Sequence, residues 1–379
     1  MANVCLYVFI LHAVGDAVAE ILFGRKKKSE IYAKKRRMRA YEQQKKRRAQ
    51  AVRLRVATPR RSPSAAKFFL LFYGAFGGIM GNGILVKKLR SVVMYITSLF
   101  EKNKTVFSFE VFPPKKSSPI ESVYGKLEEI CALKPDFISV TYGAGGTGGH
   151  SRTCEIASKI KNDLGVESVA HLTCVNSARE DIDATLEDFR AHNIQNILAL
   201  RGDYIQGVEP KRDFRYASEL CAYITQKGGF DVAGACYPET HLEAKDEVED
   251  ILNLRKKVDA GASHLISQLF FDNKVFYRFL ERTRIAGIHV PIEAGIMPVT
   301  NKSQIERMVS LCGAGLPAKF SKVMQRYEHK PEALRDAGIA YAVEQIVDLI
   351  ANGVDGIHLY TMNNPLVARR ITEAVSSLL

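Results

Sequence analysis

The residues of this chain best suited to chemistry stand in or just after short β-branched and aromatic runs. They are Glu110, Thr141 and Tyr142, His171, Arg201 and Asp203, then Tyr237, Glu239 and His241, Gln268, and finally Tyr360 and Asn363. No Ser/His/Asp or Cys/His arrangement is evident among them, and the His and Cys residues lack metal-ligand spacing, so no metal is expected. Glu110 lies within Phe107-Ser108-Phe109-Glu110-Val111-Phe112. A carboxyl desolvated by aromatic neighbours favours its neutral form, which suits a proton donor at neutral pH. Arg255, Lys256 and Lys257 follow on a helical stretch beside aromatic residues. That pairing suits a large aromatic cofactor carrying a pyrophosphate.

Eight elements must position these groups. Residues from 105 onward repeat a strand-like run, a polar or Gly-containing loop and an amphipathic stretch. The runs are Val106–Phe112, Phe137–Tyr142, Ser168–Cys174, Asn196–Leu200, Asp231–Tyr237, His264–Phe271, Pro291–Met297 and Gly356–Thr361. Most lie one β/α unit apart, so a closed parallel sheet is expected, an α/β chain with a (β/α)8 TIM-barrel fold. The longer gap before the last run leaves room for a helical insertion around Gln304–Glu328. Helices are expected over Ile182–Asn193, with Ile182, Leu186 and Phe189 inward, and over Asp246–Ala260, with Val248, Ile251, Leu252, Leu254 and Val258 inward. Leu366–Leu379 would close the barrel.

Such a barrel gathers its chemistry at the C-terminal ends of its strands, where the polar residues above fall. Each has a structural alternative: Glu110 as a partner of Arg201, His171 as a satisfied core histidine, Arg201-Gly202-Asp203 as a salt-bridged turn, Thr141 and Gln268 as interior filling. Convergence of all of them on one rim favours the functional reading. A competing dinucleotide fold is raised by Gly143-Ala144-Gly145-Gly146-Thr147-Gly148, which matches G-x-G-x-x-G after a strand. The next strand, however, ends His171-Leu172-Thr173-Cys174, without the acid that would hold a ribose. The glycines are therefore read as a strand-to-helix loop.

Charge divides the chain. Residues 1–93 hold 21 Lys/Arg against 4 acids, a net of +17, and residues 94–379 hold 33 against 37, a net of −4. The basic character belongs to the extension, so neither nucleic acid nor membrane is expected as a partner of the barrel. Within the extension, basic runs over 25–61 should be disordered or a solvated helix, and apolar stretches flank them at Val4–Phe23 and Phe68–Val86. If these crossed a membrane, the positive-inside rule would hold the basic segment in the cytoplasm and place the barrel on the other side. We therefore read residues 1–93 as upstream translation outside the native protein and 94–379 as the catalytic domain. An RNA- or lipid-binding arm is the alternative. Seven scattered cysteines without a Cys-x-x-Cys pair point to a reducing cytoplasm.

From about Thr105 to the C-terminus the chain resembles the methylenetetrahydrofolate reductase family of the bacterial type, without a C-terminal regulatory domain. The likeness rests on ordered motifs. They are Phe107-Ser108-Phe109-Glu110-Val111-Phe112-Pro113-Pro114, Ser139-Val140-Thr141-Tyr142-Gly143-Ala144, His171-Leu172-Thr173-Cys174, Leu200-Arg201-Gly202-Asp203, Tyr237-Pro238-Glu239 with His241, Lys257–Ala262, and Gln268 before Phe270-Phe271-Asp272. The resemblance implies a homo-oligomer that binds FAD, is reduced by NADH or NADPH, and converts 5,10-methylenetetrahydrofolate to 5-methyltetrahydrofolate by a ping-pong route.

By motif, Glu110 would be the general acid and Asp203 would tune the flavin and contact the folate. Gln268 and Gln304 would bind substrate, with Thr141 and Gln268 near the nicotinamide. Tyr142, Ala144, His171, Arg201, Gly202, Ala217, Tyr237, His241, Ala244, Asp250, Asn253, Lys256 and Lys257 would line the FAD site. The chain departs from the family pattern at Lys256, where Arg can stand, at Met308, where an aromatic can cover the adenine, and at Asn364, where Arg can hold the folate tail. A different flavin barrel oxidoreductase, such as a proline-dehydrogenase-like enzyme, would not need the Glu110 and Asp203 pair.

Overall fold

Each strand-like run is largely buried, because one face packs on helices and the other fills the barrel. A computed structural model describes residues 94–379 except 102, 103, 116, 143–148, 205, 206 and 208. The expectations for residues 1–93, for Ala144 and for the Gly143–Gly148 loop lie outside the described residues. The strands are β1 (Val106–Val111), β2 (Phe137–Val140), β3 (Glu167–Thr173), β4 (Asn196–Leu200), β5 (Asp231–Cys236), β6 (His264–Ser267), β7 (Ile292–Ile296) and β8 (Gly356–Tyr360). They close in sequence order, and every adjacent pair is parallel. The expected TIM barrel is the fold.

The helices are α1 (Tyr124–Cys131), α2 (Gly149–Ser158), α3 (Arg179–Ala191), α4 (Ala217–Lys227), α5 (Glu247–Asp259), α6 (Asn273–Ile285), α7 (Lys302–Cys312), α8 (Ala318–Tyr327), α9 (Pro331–Ala351) and α10 (Pro365–Val375). The inserted segment is thus the pair α7 and α8, ahead of the long α9. On α3 the expected Ile182, Leu186 and Phe189 are buried. On α5 only Ile251 and Leu254 are, whereas Val248 is 64% and Leu252 54% exposed. The expected stripe was too wide, since the i, i+3, i+7 line through Ile251, Leu254 and Val258 already meets the core. Asp246 begins α5 as a cap, its carboxylate accepting from the Val248 and Glu249 amides at 3.0 and 2.8 Å.

The strands end earlier than their apolar runs. Leu269, Phe270 and Phe271 follow β6 as loop, with Leu269 and Phe271 packing beside Phe320 and Met324 of α8. Burial there comes from the insertion instead of the sheet. At the opposite end, a 3₁₀ helix (Ile96–Glu101) plugs the barrel floor. Ile96 and Leu99 join Val106, Phe137, Val169, Leu198, Ala233 and Ile266 in one interior cluster. The Thr97 amide and hydroxyl both bond Asp231 Oδ2, at 2.9 and 2.6 Å, and the Ile96 amide bonds Asn196 Oδ1 at 3.0 Å.

Candidate active site

Strand register sets what Glu110 meets. It pairs with Ser139 of β2 and Tyr360 of β8, while Ser108 pairs with His358. The Glu110 side chain is 20% exposed, and its Oε2 stands 3.6 Å from His171 Nε2 and 3.6 Å from His358 Nε2. It is therefore less enclosed than its aromatic neighbours implied, because Phe107 and Phe109 point outward into the helix-facing core. Nor is it paired with Arg201, whose guanidinium forks onto Glu243 across the cleft. Burial pushes His171 down to about 4, so its imidazole is neutral, and its Nε2 has no hydrogen-bond partner. Desolvation, then Glu110, holds the Tyr360 hydroxyl well above its ordinary value, and that hydroxyl donates to the Ser267 carbonyl at 2.7 Å.

Under Glu110 lies a polar layer that sequence reasoning missed. Ser108 Oγ is 2.6 Å from His358 Nδ1 and donates to Glu293 Oε1 at 2.7 Å, and Ser139 Oγ is 3.3 Å from His358 Nε2. Burial pushes the Glu293 carboxyl up to about 7, although His358 and the Ser108 hydrogen bond both pull it down. The available signal was strand alternation: Ser108 and Glu110, or His358 and Tyr360, share a face at i, i+2.

Beside this cluster, the ends of β4 and β5 with α4 and α5 enclose a cleft of about 430 Å³. Arg201, Ala217, Tyr237, His241, Ala244, Asp250, Asn253, Lys256 and Lys257, expected together from the sequence, all line it. Desolvation lowers Lys257, which donates to the Ala235 carbonyl at 2.5 Å, and raises the Asp250 carboxyl, which accepts from the His241 amide at 3.1 Å. Lys256 donates to Asn253 Oδ1 at 3.0 Å. Arg255 does not reach the cleft: it faces Asp259 and the Ala286 carbonyl on the outer side of α5. Gly202 has φ +83°, and a Cβ there would stand 2.9 Å from Thr173 Cβ, so only glycine lets this turn approach β3.

The residues fit a flavin dinucleotide. Cationic and amide groups with two small alanines suit a pyrophosphate, Tyr237 offers an aromatic wall, and the orphaned His171 Nε2 offers a polar contact on the barrel axis. Asp203 is exposed on the rim beyond Gly202. Thr141, Tyr142 and Gln268 are half-buried at strand ends, and Gln268 Oε1 accepts from the Leu269 amide at 2.9 Å. Gln304 lies on α7, with its side chain outside the described residues. Of the departures, Asn364 caps α10 through the Val367 amide and Met308 packs on the Leu269 cluster.

One further group was not foreseen. Cys154, Asp188 and His192 bring ligand-type atoms within 4.8 Å of one another outside the barrel. His192 Nδ1, however, is 2.8 Å from the Asp188 carbonyl at the end of α3, and burial pushes the Cys154 thiol up to about 12. A neutral thiol is not the metal-binding form.

The family model described as methylenetetrahydrofolate reductase matches residues 95–376. The chain is similar to methylenetetrahydrofolate reductase (NADH) 1 of Arabidopsis thaliana, 38% identical over 287 residues, covering 72% of this chain and 48% of that protein. It is also similar to 5,10-methylenetetrahydrofolate reductase of Escherichia coli, 36% identical over 256 residues, covering 68% of this chain and 86% of that one. The chain thus spans about half of the plant relative. A solved Clostridium thermocellum protein, described as uncharacterised and as binding two copies of 5-methyl-5,6,7,8-tetrahydrofolic acid, aligns with a TM-score of 0.50 at 15% identity, over 75% of this chain and 99% of its own. That likeness is one of fold.

Proposed function

The chain belongs to the methylenetetrahydrofolate reductase family, and on that premise we propose that it reduces 5,10-methylenetetrahydrofolate to 5-methyltetrahydrofolate with FAD and NADH or NADPH. The observation that carries this reading is the Glu110 carboxyl, one-fifth exposed at the mouth of the barrel, flanked by two buried histidines and near a basic cleft of dinucleotide type. Bound FAD supplies a hydride carrier between nicotinamide and folate. The chain supplies position and a proton.

Arg201, His241, Asn253, Lys256 and Lys257 hold the pyrophosphate and ribose side, with Ala217 and Ala244 leaving room for it. Thr141, Tyr142, His171 and Gly202 bound the ring end. Gln268 and Gln304 hold the pterin, and Asp203 contacts both pterin and flavin from the rim. Glu110 protonates the folate nitrogen that leaves the methylene bridge, giving an electrophilic iminium on the substrate. Neutral His171 puts no cation beside Glu110 on the β3 side. Because nicotinamide and folate use the same rim in turn, the route is ping-pong, and its reductant together with six unpaired described cysteines suits the cytoplasm.

Anaerobic mixing of the purified protein with NADH or NADPH tests the proposal. A flavin spectrum should bleach on reduction and return on adding methylenetetrahydrofolate. A bleached flavin reoxidised only by an unrelated acceptor would favour another flavin barrel oxidoreductase.

A further inference from the structure

The layer beneath Glu110 contains a fully buried acid that the proposed reaction does not use. Glu293 has room because Gly356 stands opposite: a Cβ there would lie 2.7 Å from Glu293 Cγ. Glu293 reaches Ser108, Ser108 reaches His358, and the far nitrogen of His358 faces Glu110 at 3.6 Å. Both Glu293 and His358 are 0% exposed. With its carboxyl raised to about 7 by burial, Glu293 occurs in both protonation forms near neutrality.

A serine hydroxyl carries one hydrogen, which fixes the polarity of this chain of groups. When Glu293 is ionised, Ser108 donates to it and accepts from His358 Nδ1–H, leaving an unprotonated Nε2 that can accept from Ser139 Oγ at 3.3 Å or from Glu110. When Glu293 is protonated, it donates to Ser108, Ser108 donates to Nδ1, and an Nε2–H points at Glu110. We propose that Glu293 is a positioning residue that shares one proton with Glu110 through Ser108 and His358, so that an ionised Glu293 goes with a protonated, reaction-ready Glu110.

The exchange balances. Glu293 Oε1–H breaks as Ser108 Oγ gains that hydrogen, Ser108 gives its own to His358 Nδ1, and His358 Nε2–H passes to Glu110 Oε2. No electrons are transferred to or from any acceptor, and the last step needs Glu110 to close from 3.6 Å to hydrogen-bond distance. The other charged groups acting on Glu293 are Asp136, paired with Lys104, and Asp355, paired with Arg284. His264, kept neutral by burial, faces His358 from β6, and Glu110 itself is faced by neutral His171 from β3 at 3.6 Å and by the Tyr360 hydroxyl from β8. The inference rests on Glu110 being the acid.

The test is the pH profile of each half-reaction in FAD-loaded Glu293→Gln and Ser108→Ala, beside wild type and Glu110→Gln. Without the ionisable Glu293, or without the link to it, folate reduction should match wild type near pH 6. It should then fall about tenfold below wild type by pH 8, while flavin reduction by the nicotinamide is unchanged. Nitrogen NMR of labelled histidine should show a pH-dependent change of tautomer at His358 in wild type that Glu293→Gln abolishes. Superimposable pH profiles, or an equal loss in both half-reactions at every pH, would overturn the proposal. Should Glu110→Gln reduce folate normally, the acid assignment itself would fall, a result distinct from the others.

Discussion

The lower and upper halves of the barrel interior are built on opposite principles. Below, Val106, Phe137, Val169, Leu198, Ala233 and Ile266 close on the Ile96 and Leu99 plug, so the floor is filled with apolar surface. Above, Ser108, Ser139, His171, Glu293 and His358 are also buried but polar, and two of their polar atoms, His171 Nε2 and Glu293 Oε2, lack hydrogen-bond partners. Burial without full pairing costs stability. The contrast teaches that the floor holds the barrel together while the upper layer spends part of that stability on groups poised to bind and exchange protons.

The largest effect should come from removing the floor. A chain beginning at Met94 keeps the plug and should fold and retain activity, whereas one beginning at Thr105 loses two buried side chains and the bonds to Asp231 and Asn196. At about 1.5–3 kcal/mol for each side chain and about 1 for each hydrogen bond, the loss is on the order of 5 kcal/mol or more, comparable with a domain's whole stability. Thermal unfolding of the two truncations would break the comparison if both melted alike.

The upper layer predicts opposite slopes of stability with pH. Glu293 is raised from 4.5 to about 7, so between those values the folded state holds a proton that the unfolded state has released, and stability falls as pH rises. His171 is lowered from 6.5 to about 4, so its contribution is complete above 6.5 and is lost as pH falls towards 4. Each shift corresponds to about 3 kcal/mol. Glu293→Gln should therefore gain stability relative to wild type as pH rises from 5 to 8, approaching that size. Denaturant unfolding at both pH values measures the gain, and a pH-independent difference would place Glu293 in a solvated setting.

Asp203, exposed on the rim, should show the smallest effect. Asp203→Asn removes a charge beside the proposed flavin, so the flavin potential should rise, and folate binding should weaken by about 1 kcal/mol, roughly fivefold. Spectroelectrochemistry and a folate titration of the reduced protein check this, and an unmoved potential would put Asp203 outside the site.

Much of this was legible in the sequence for a physical reason. Parallel strands covered on both faces must read as apolar runs, and chemistry in such a barrel must follow them, so Glu110, His171, Arg201 and Tyr237 could be placed. The strand ends after β6 were not legible, because Leu269 and Phe271 are buried by a remote insertion. Glu293 and His358 were missed because one polar residue in an apolar run carries no sign of its partner. Only barrel closure brings Ser108 onto residues 185 and 250 positions away.

The central claim is that Glu110 serves only the folate half-reaction, and stopped-flow absorbance of Glu110→Gln in anaerobic solution tests it most directly. Gln keeps the size of the side chain but cannot give up that proton. FAD should still bind and be reduced by NADH or NADPH at the wild-type rate, while reoxidation by methylenetetrahydrofolate should slow by at least about a hundredfold. Equal slowing of both half-reactions, or of neither, would contradict the account and leave Glu110 as a structural carboxylate.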